Sequence, residues 1–227
     1  MSAPVVLVHG LATSSARTWG ETGWLDLLAD AGRVTAPIDL PGHGTASKPN
    51  DPAEFDDLEQ QVASQFPAER VDAIGFSLGA RILLTIAAED STRFERLVVA
   101  GVGRNLFEAD EDRGRRIAAA IAGDADPADP EASHFSSLAA APDVDRSSLA
   151  ALMASRRPPL EPDTLAEIAC PVLVVIGDQD FAGPADMLAG ALPDSELRVL
   201  KGVDHFATPK SFEFLDAALD FLGASPV

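Results

Sequence analysis

Apolar residues fall along the chain in two alternating regimes. Short continuous runs, Val5 to Val8, Val34 to Ile38, Val71 to Gly75, Leu97 to Gly101, Val172 to Ile176 and Leu197 to Leu200, have the length and β-branched content of strands buried on both faces. Between them the apolar positions switch to a helical period. Trp24, Leu27, Leu28 and Ala31 lie on one helical face, and Gly32 supplies a stop. Asp51-Pro52-Ala53-Glu54 combines an N-cap, a proline at the first helical position and a capping-box Glu, opening a helix whose stripe is Phe55, Leu58, Val62 and Phe66. A further helix is predicted over Leu78 to Glu89. Thr208-Pro209 opens a last one, with Leu215, Ala218, Leu219 and Leu222 facing inward. The alternation predicts an α/β fold: a mostly parallel open sheet of about six strands with helices on both faces.

Residues 104–168 interrupt this rhythm with helical patterns at Ile117 to Ile121 and Leu149 to Met153, punctuated by Pro127, Pro130, Pro142, Pro158 and Pro159. The stretch reads as a helical cap inserted into one domain that spans residues 1–227. No repeat of fixed period and no low-complexity tract occurs. At 227 residues and 46% apolar content, the chain has the size of one domain that buries roughly 70% of its unfolded surface.

Charge narrows the partners. Asp and Glu number 36 against 17 Lys and Arg, a formal charge of −19 that repels phosphate backbones and anionic bilayers, so neither nucleic acid nor a membrane is expected. Spread along an apolar-rich chain, the acidity reads as a solubilising surface. Cys170 stands alone, so no intrachain disulfide can form. Met1-Ser2-Ala3-Pro4 lacks a basic leader, and the run Val5 to Val8 is too short for a signal-peptide core or a membrane span. A soluble cytoplasmic protein is the expectation.

The chemistry centres on Gly75-Phe76-Ser77-Leu78-Gly79, placed where a predicted strand ends and a helix begins. That context is the one a nucleophile elbow requires: small residues let strand and helix approach, and the tight turn lifts the Ser77 hydroxyl clear of the backbone. The helix start also aims free N–H groups at any oxyanion formed there. A serine needs a base, and the base needs an acid to hold its tautomer. Of four histidines, His205 lies just past the last predicted strand, at the carboxyl edge where open α/β sheets place their sites. Asp180 follows the preceding strand to the same edge. Asp178, in the same turn, is the alternative acid. The chain order is then Ser77, Asp180, His205.

That order, together with Val8-His9-Gly10-Leu11 after the first strand, Asp39-Leu40-Pro41-Gly42-His43-Gly44 after the second, Gly177 to Asp180 and Asp204-His205-Phe206, resembles the α/β-hydrolase fold superfamily in its esterase and lipase-like branch. The resemblance runs from Val5 to about Phe221. It implies Ser77 as nucleophile, His205 as base, Asp180 as orienting acid, and the backbone N–H groups of Leu11 and Leu78 as an oxyanion hole. Gly10-Leu11 is the short form of that loop, which favours small or medium acyl groups. With His9 so near the start, the two strands that usually come first are missing from the pattern. Val34 to Ile38 should therefore form an uncovered edge, which invites a homodimer through that strand.

Other residues read more plainly. His9 and His43 are expected to stabilise loops near the site, His134 to be exposed, Cys170 to fill core, and Asp204 to occupy a solvated turn. Asp124, Asp126, Asp129 and Glu131 lack the glycine and terminal Glu of a calcium loop. Gly101-Val102-Gly103 is followed by Leu106 where a dinucleotide fingerprint needs glycine, so no metal or cofactor is expected. Glu111 with Arg115, and Asp112 with Arg116, have the spacing of helix-surface ion pairs, which leaves Arg113 on the same ordinary solvated helix. Phe76, Phe107, Phe181 and Phe206, with Leu106, Leu138, Leu152 and Met153, are either core or the wall of an apolar acyl pocket. The expected activity is hydrolysis of small to medium uncharged carboxylic esters or thioesters. The alternatives are cleavage of carbon–carbon bonds in β-diketones by the same three residues, and a non-catalytic ligand receptor.

Overall fold

The computed structural model describes residues 2–224. Among them, β1 (Val5–Val8), β2 (Thr35–Ile38), β3 (Val71–Phe76), β4 (Phe94–Ala100), β5 (Val172–Gly177) and β6 (Ser195–Leu200) form one parallel six-stranded sheet in the order β2-β1-β3-β4-β5-β6. The continuous apolar runs have a direct cause: strand side chains alternate faces, and both faces are covered. Val5 and Leu7 of β1 join one buried cluster with Trp19, Trp24 and Phe214, while Val6 and Val8 join another with Phe55, Leu58 and Leu83. β2 lies at an edge, and Pro37 within it has no N–H to offer a further strand.

On one face pack α1 (Trp24–Asp30) and, late in the chain, the final helix; on the other pack α2 (Leu58–Ala63) and α3 (Leu78–Glu89). The predicted helix from Asp51 divides in two. Its capping box forms, but it closes a 3₁₀ turn over Pro52–Phe55, and Asp56-Asp57, poor helix formers, separate that turn from α2. Phe55, Leu58, Val62 and Phe66 are nevertheless all buried.

Between β4 and β5 the chain forms α4 (Glu111–Ala122), α5 (Pro130–Leu138), α6 (Arg146–Ala154) and α7 (Pro162–Leu165), which make the cap. Its own cluster of Ile117, Ile121, Phe135, Ala139 and Leu149 packs down on Ala12 of the loop after β1. The surface ion pairs of α4 differ from the expected ones. Arg115 pairs with Asp112, Arg116 reaches Asp129 at the start of α5, and Arg113 reaches Glu131. For Arg113 and Arg116 the start of α5 supplies the carboxylate, whereas Arg115 finds its own within α4. After α8 (Asp186–Ala191) and β6, Thr208–Lys210 makes a separate 3₁₀ turn, and α9 (Phe212–Phe221) starts after its N-cap Ser211 instead of at Thr208. Leu215, Ala218, Leu219 and Leu222 are buried as the stripe implied. No helix among the described residues is long and apolar enough to cross a membrane.

Candidate active site

The chain leaves β1 toward β2 on one side and enters β3 on the other, so a crevice opens at the carboxyl ends of β1 and β3. Ser77 stands there, between β3 and α3. Its backbone is held at φ 53° and ψ −113°, a sparsely populated region for a side chain with a Cβ. The hold is steric: a Cβ on Gly79 would come within 2.2 Å of the Val8 carbonyl oxygen, and one on Gly75 within 2.7 Å of the Ala80 backbone. Two bare backbones thus let α3 press against β1 and β3, and the Ser77 N–H donates to the Ala100 carbonyl at 2.8 Å to fix the turn.

β5 and β6 bring the partners. The Ser77 hydroxyl lies 3.0 Å from His205 Nε2, and His205 Nδ1 donates to both carboxylate oxygens of Asp180 at 2.9 and 3.0 Å. With Nδ1 carrying the proton, Nε2 is the acceptor facing the serine. Asp180 Oδ1 also accepts from the Ala182 N–H at 2.8 Å, which fixes the carboxylate. The imidazole is 3% exposed and sits between Phe76 and Phe181, with ring centroids 4.9 and 4.2 Å away. Asp178 turns outward and accepts from the Gly202 N–H at 2.7 Å. Asp204 accepts from the Ala207 N–H, bracing the turn that carries His205.

The N–H groups of Leu11 and Leu78 donate to no backbone carbonyl among the described residues, and both residues border the space beside Ser77. The loop carrying Leu11 is tied by two buried histidines. His9 donates from Nδ1 to the Gly10 carbonyl and accepts from the Leu40 N–H at Nε2. His43 donates to the Pro41 carbonyl and accepts from the Ala12 N–H at 3.0 Å. Burial pulls His9 down to about 4 and His43 down to about 3, so both stay neutral and keep an acceptor nitrogen for those bonds. Ala12 itself sits at φ 60°.

Two chambers flank the serine. The first, about 470 Å³, is bordered by Ser77, His205, Phe76, Phe206 and Leu138, and also by Arg17, Glu21 and Lys210. The second, about 320 Å³, lies under the cap and is bordered by Ser77, Leu78, Phe181, Leu106, Leu152 and Met153. Phe107 lines neither chamber: it follows the 3₁₀ turn Arg104–Leu106, which points Leu106 inward and leaves Phe107 packed on the core. His134 is exposed as expected, yet it stacks on Phe206 at 3.7 Å and borders the first chamber. The sequence reading missed the charged wall of the second chamber, formed by Arg81, Arg113 and Arg157. One of these was within reach, because Arg81 lies four residues after Ser77, on the same face of the predicted helix.

A serine lifted on a strand–turn–helix elbow, at the point where a parallel sheet reverses its strand order, sets the α/β-hydrolases apart from other serine-bearing folds. The chain belongs to the alpha/beta hydrolase family, whose model matches residues 5–217. Pyrrolizixenacetamide deacetylase of Xenorhabdus hominickii is 33% identical over 100 residues, which are 43% of this chain but only 36% of that protein. A hydrolase from Pseudomonas aeruginosa PA01 superposes with a TM-score of 0.76 at 25% identity, covering 98% of this chain and 90% of that one. A thermophilic esterase from Thermogutta terrifontis superposes with a TM-score of 0.74 over 100% of this chain and 92% of its own, at 21% identity, a likeness of fold alone.

Proposed function

We propose that the protein is a serine hydrolase of the carboxylesterase type, cleaving small to medium uncharged carboxylic esters or thioesters. The observation that carries this reading is the continuous hydrogen-bonded path from the Ser77 hydroxyl through His205 to the Asp180 carboxylate, at 3.0 and 2.9 Å. Along it, Ser77 Oγ attacks the carbonyl carbon while its proton passes to His205 Nε2, and Asp180 stabilises the imidazolium that results. The Leu11 and Leu78 N–H groups receive the negative charge that builds on the carbonyl oxygen. The carbon–oxygen bond then breaks as His205 returns the proton to the departing alcohol. Water repeats both steps on the acyl-serine, releasing the acid and restoring the hydroxyl. The deacetylase relative fits acyl transfer to water, and the aromatic residues around His205 suit a nonpolar reacting end.

Ser77→Ala should lower kcat on a chromogenic short-chain ester by at least about 10³-fold, leaving only binding and the oxyanion donors. A fluorophosphonate should label the unaltered chain and not the variant. Ester hydrolysis retained by Ser77→Ala would sink the assignment. A β-diketone in the same panel separates the carbon–carbon hydrolase: turnover of it with no ester cleavage would replace the esterase reading.

A further inference from the structure

The second chamber is bordered by three arginines and by no Asp or Glu. In a chain where acids outnumber bases by 36 to 17, that asymmetry calls for an explanation. Arg113 has one within the protein: it donates from Nε to Glu131 at 2.8 Å and lies 3.9 Å over the Phe181 ring. Arg81 and Arg157 do not. Among the described residues neither has a carboxylate within 4.0 Å. Arg81 donates to the Pro158 carbonyl, and Arg157 donates to the Leu152 carbonyl and Ser155 Oγ. The Nε and Nη1 of Arg81 make no hydrogen bond with the protein and keep some accessible surface. Burial works against both charged forms, Arg81 adds repulsion at Arg157, and Glu59 is the acid whose field offsets part of this. Two half-dehydrated guanidinium groups facing one cavity are poised to gain from a bound anion, and their planar donor forks suit a carboxylate.

The position of His205 decides which end of an ester carries that anion. His205 must hand its proton to the departing alcohol, and it borders the first chamber only, whereas Ser77 borders both. On that geometry the alcohol would leave by the first chamber and the acyl chain would extend into the second, past Leu78 toward Arg81, about 4.5 Å further along the helix axis.

We propose that Arg81 and Arg157 form a carboxylate subsite for the far end of the acyl chain, so that the preferred substrates are monoesters of short dicarboxylic acids. The inference rests on the acyl-enzyme reading above. It confines the uncharged part of the substrate to the ester bond and its alcohol. The step balances as for any ester: the carbon–oxygen bond to the alcohol breaks, water supplies the new oxygen, and the dicarboxylate leaves with one proton released.

The test is kcat/KM for 4-nitrophenyl hydrogen glutarate divided by that for 4-nitrophenyl pentanoate, a neutral ester of equal chain length. The ratio should exceed about ten in the unaltered protein and fall about ten- to hundredfold in Arg157→Gln and in Arg81→Gln, with Arg157→Lys retaining part of the preference. Because both esters meet the same protein, partial misfolding cancels in the ratio. A ratio near or below one in the unaltered protein overturns the subsite and leaves the esterase reading standing. If neither ester is hydrolysed, the esterase reading falls, and calorimetry with monomethyl glutarate on Ser77→Ala decides the subsite. Binding weakened at least about tenfold by adding Arg157→Gln supports it, and binding that is undetectable or indifferent to that change overturns it.

Discussion

Mild acid should destabilise this protein markedly. His9 and His43 are buried and neutral, pulled down to about 4 and about 3, whereas a histidine in the unfolded chain takes up its proton near pH 6.5. Between those values the unfolded chain binds more protons than the folded one, so stability climbs with rising pH and is lost as pH drops below 6.5. At pH 5 each imidazole costs on the order of 2 kcal/mol relative to pH 7.5, together on the order of 4 kcal/mol, a large share of a typical 5–15 kcal/mol. His134, shifted down by burial, adds in the same direction. Urea unfolding followed by the fluorescence of buried Trp19 and Trp24, at pH 7.5, 6 and 5, measures the loss. His43→Gln removes one of the two groups while its amide oxygen can still accept from the Ala12 N–H, so the loss should shrink by about half. Equal stability at pH 7.5 and pH 5, or an unchanged pH slope in His43→Gln, would refute the reasoning.

Three further outcomes follow from packing. Asp72 is buried against Arg33, whose guanidinium also holds the Ala3 and Leu222 carbonyls; burial pushes the Asp72 carboxyl up even with Arg33 beside it. Asp72→Ala should cost about 3–5 kcal/mol in urea unfolding by stranding a buried charge, and adding Arg33→Met should recover part of it; a loss below about 1 kcal/mol counts against a buried pair. Gly79→Ala forces a methyl to 2.2 Å from the Val8 carbonyl oxygen, so soluble yield should collapse or Tm fall steeply, and a Tm within a few degrees of the unaltered protein would contradict the close approach. Burial lifts the Cys170 thiol to about 11, so a thiol reagent should modify it only once urea has unfolded the chain; rapid labelling of the native protein would show the strand start to be open.

How much of this was legible in the sequence depended on whether the cause was local. β1, β3 and β5 could be read because burial on both faces makes a strand a continuous apolar run. β6 begins at Ser195, two residues before its predicted start, because Glu196 and Arg198 face solvent at the sheet edge and hide the pattern. The elbow was readable since its glycines answer a steric demand within five residues. The sequence favoured Asp180 as the acid and left Asp178 as the alternative, because which carboxylate faces a loop 25 residues away has no local signature. Arg157 carried no local signal at all: it reaches the second chamber only because the cap folds back over Ser77. The pairing of Arg116 with Asp129 likewise depends on how two cap helices meet.

The loop after β2 has a consequence for how roof and floor move together. Through its imidazole, His43 grips the Ala12 N–H; through its backbone, the same residue bridges to Val144, and Gly42 accepts from the Asp145 N–H at 3.0 Å where α6 begins. One seam thus ties the cap helices to the loop after β1 that carries the Leu11 N–H. Alterations at residues 143–145 should therefore be felt at the Leu11 N–H by way of a single ring, and should register in turnover rate before they register in which molecules are chosen.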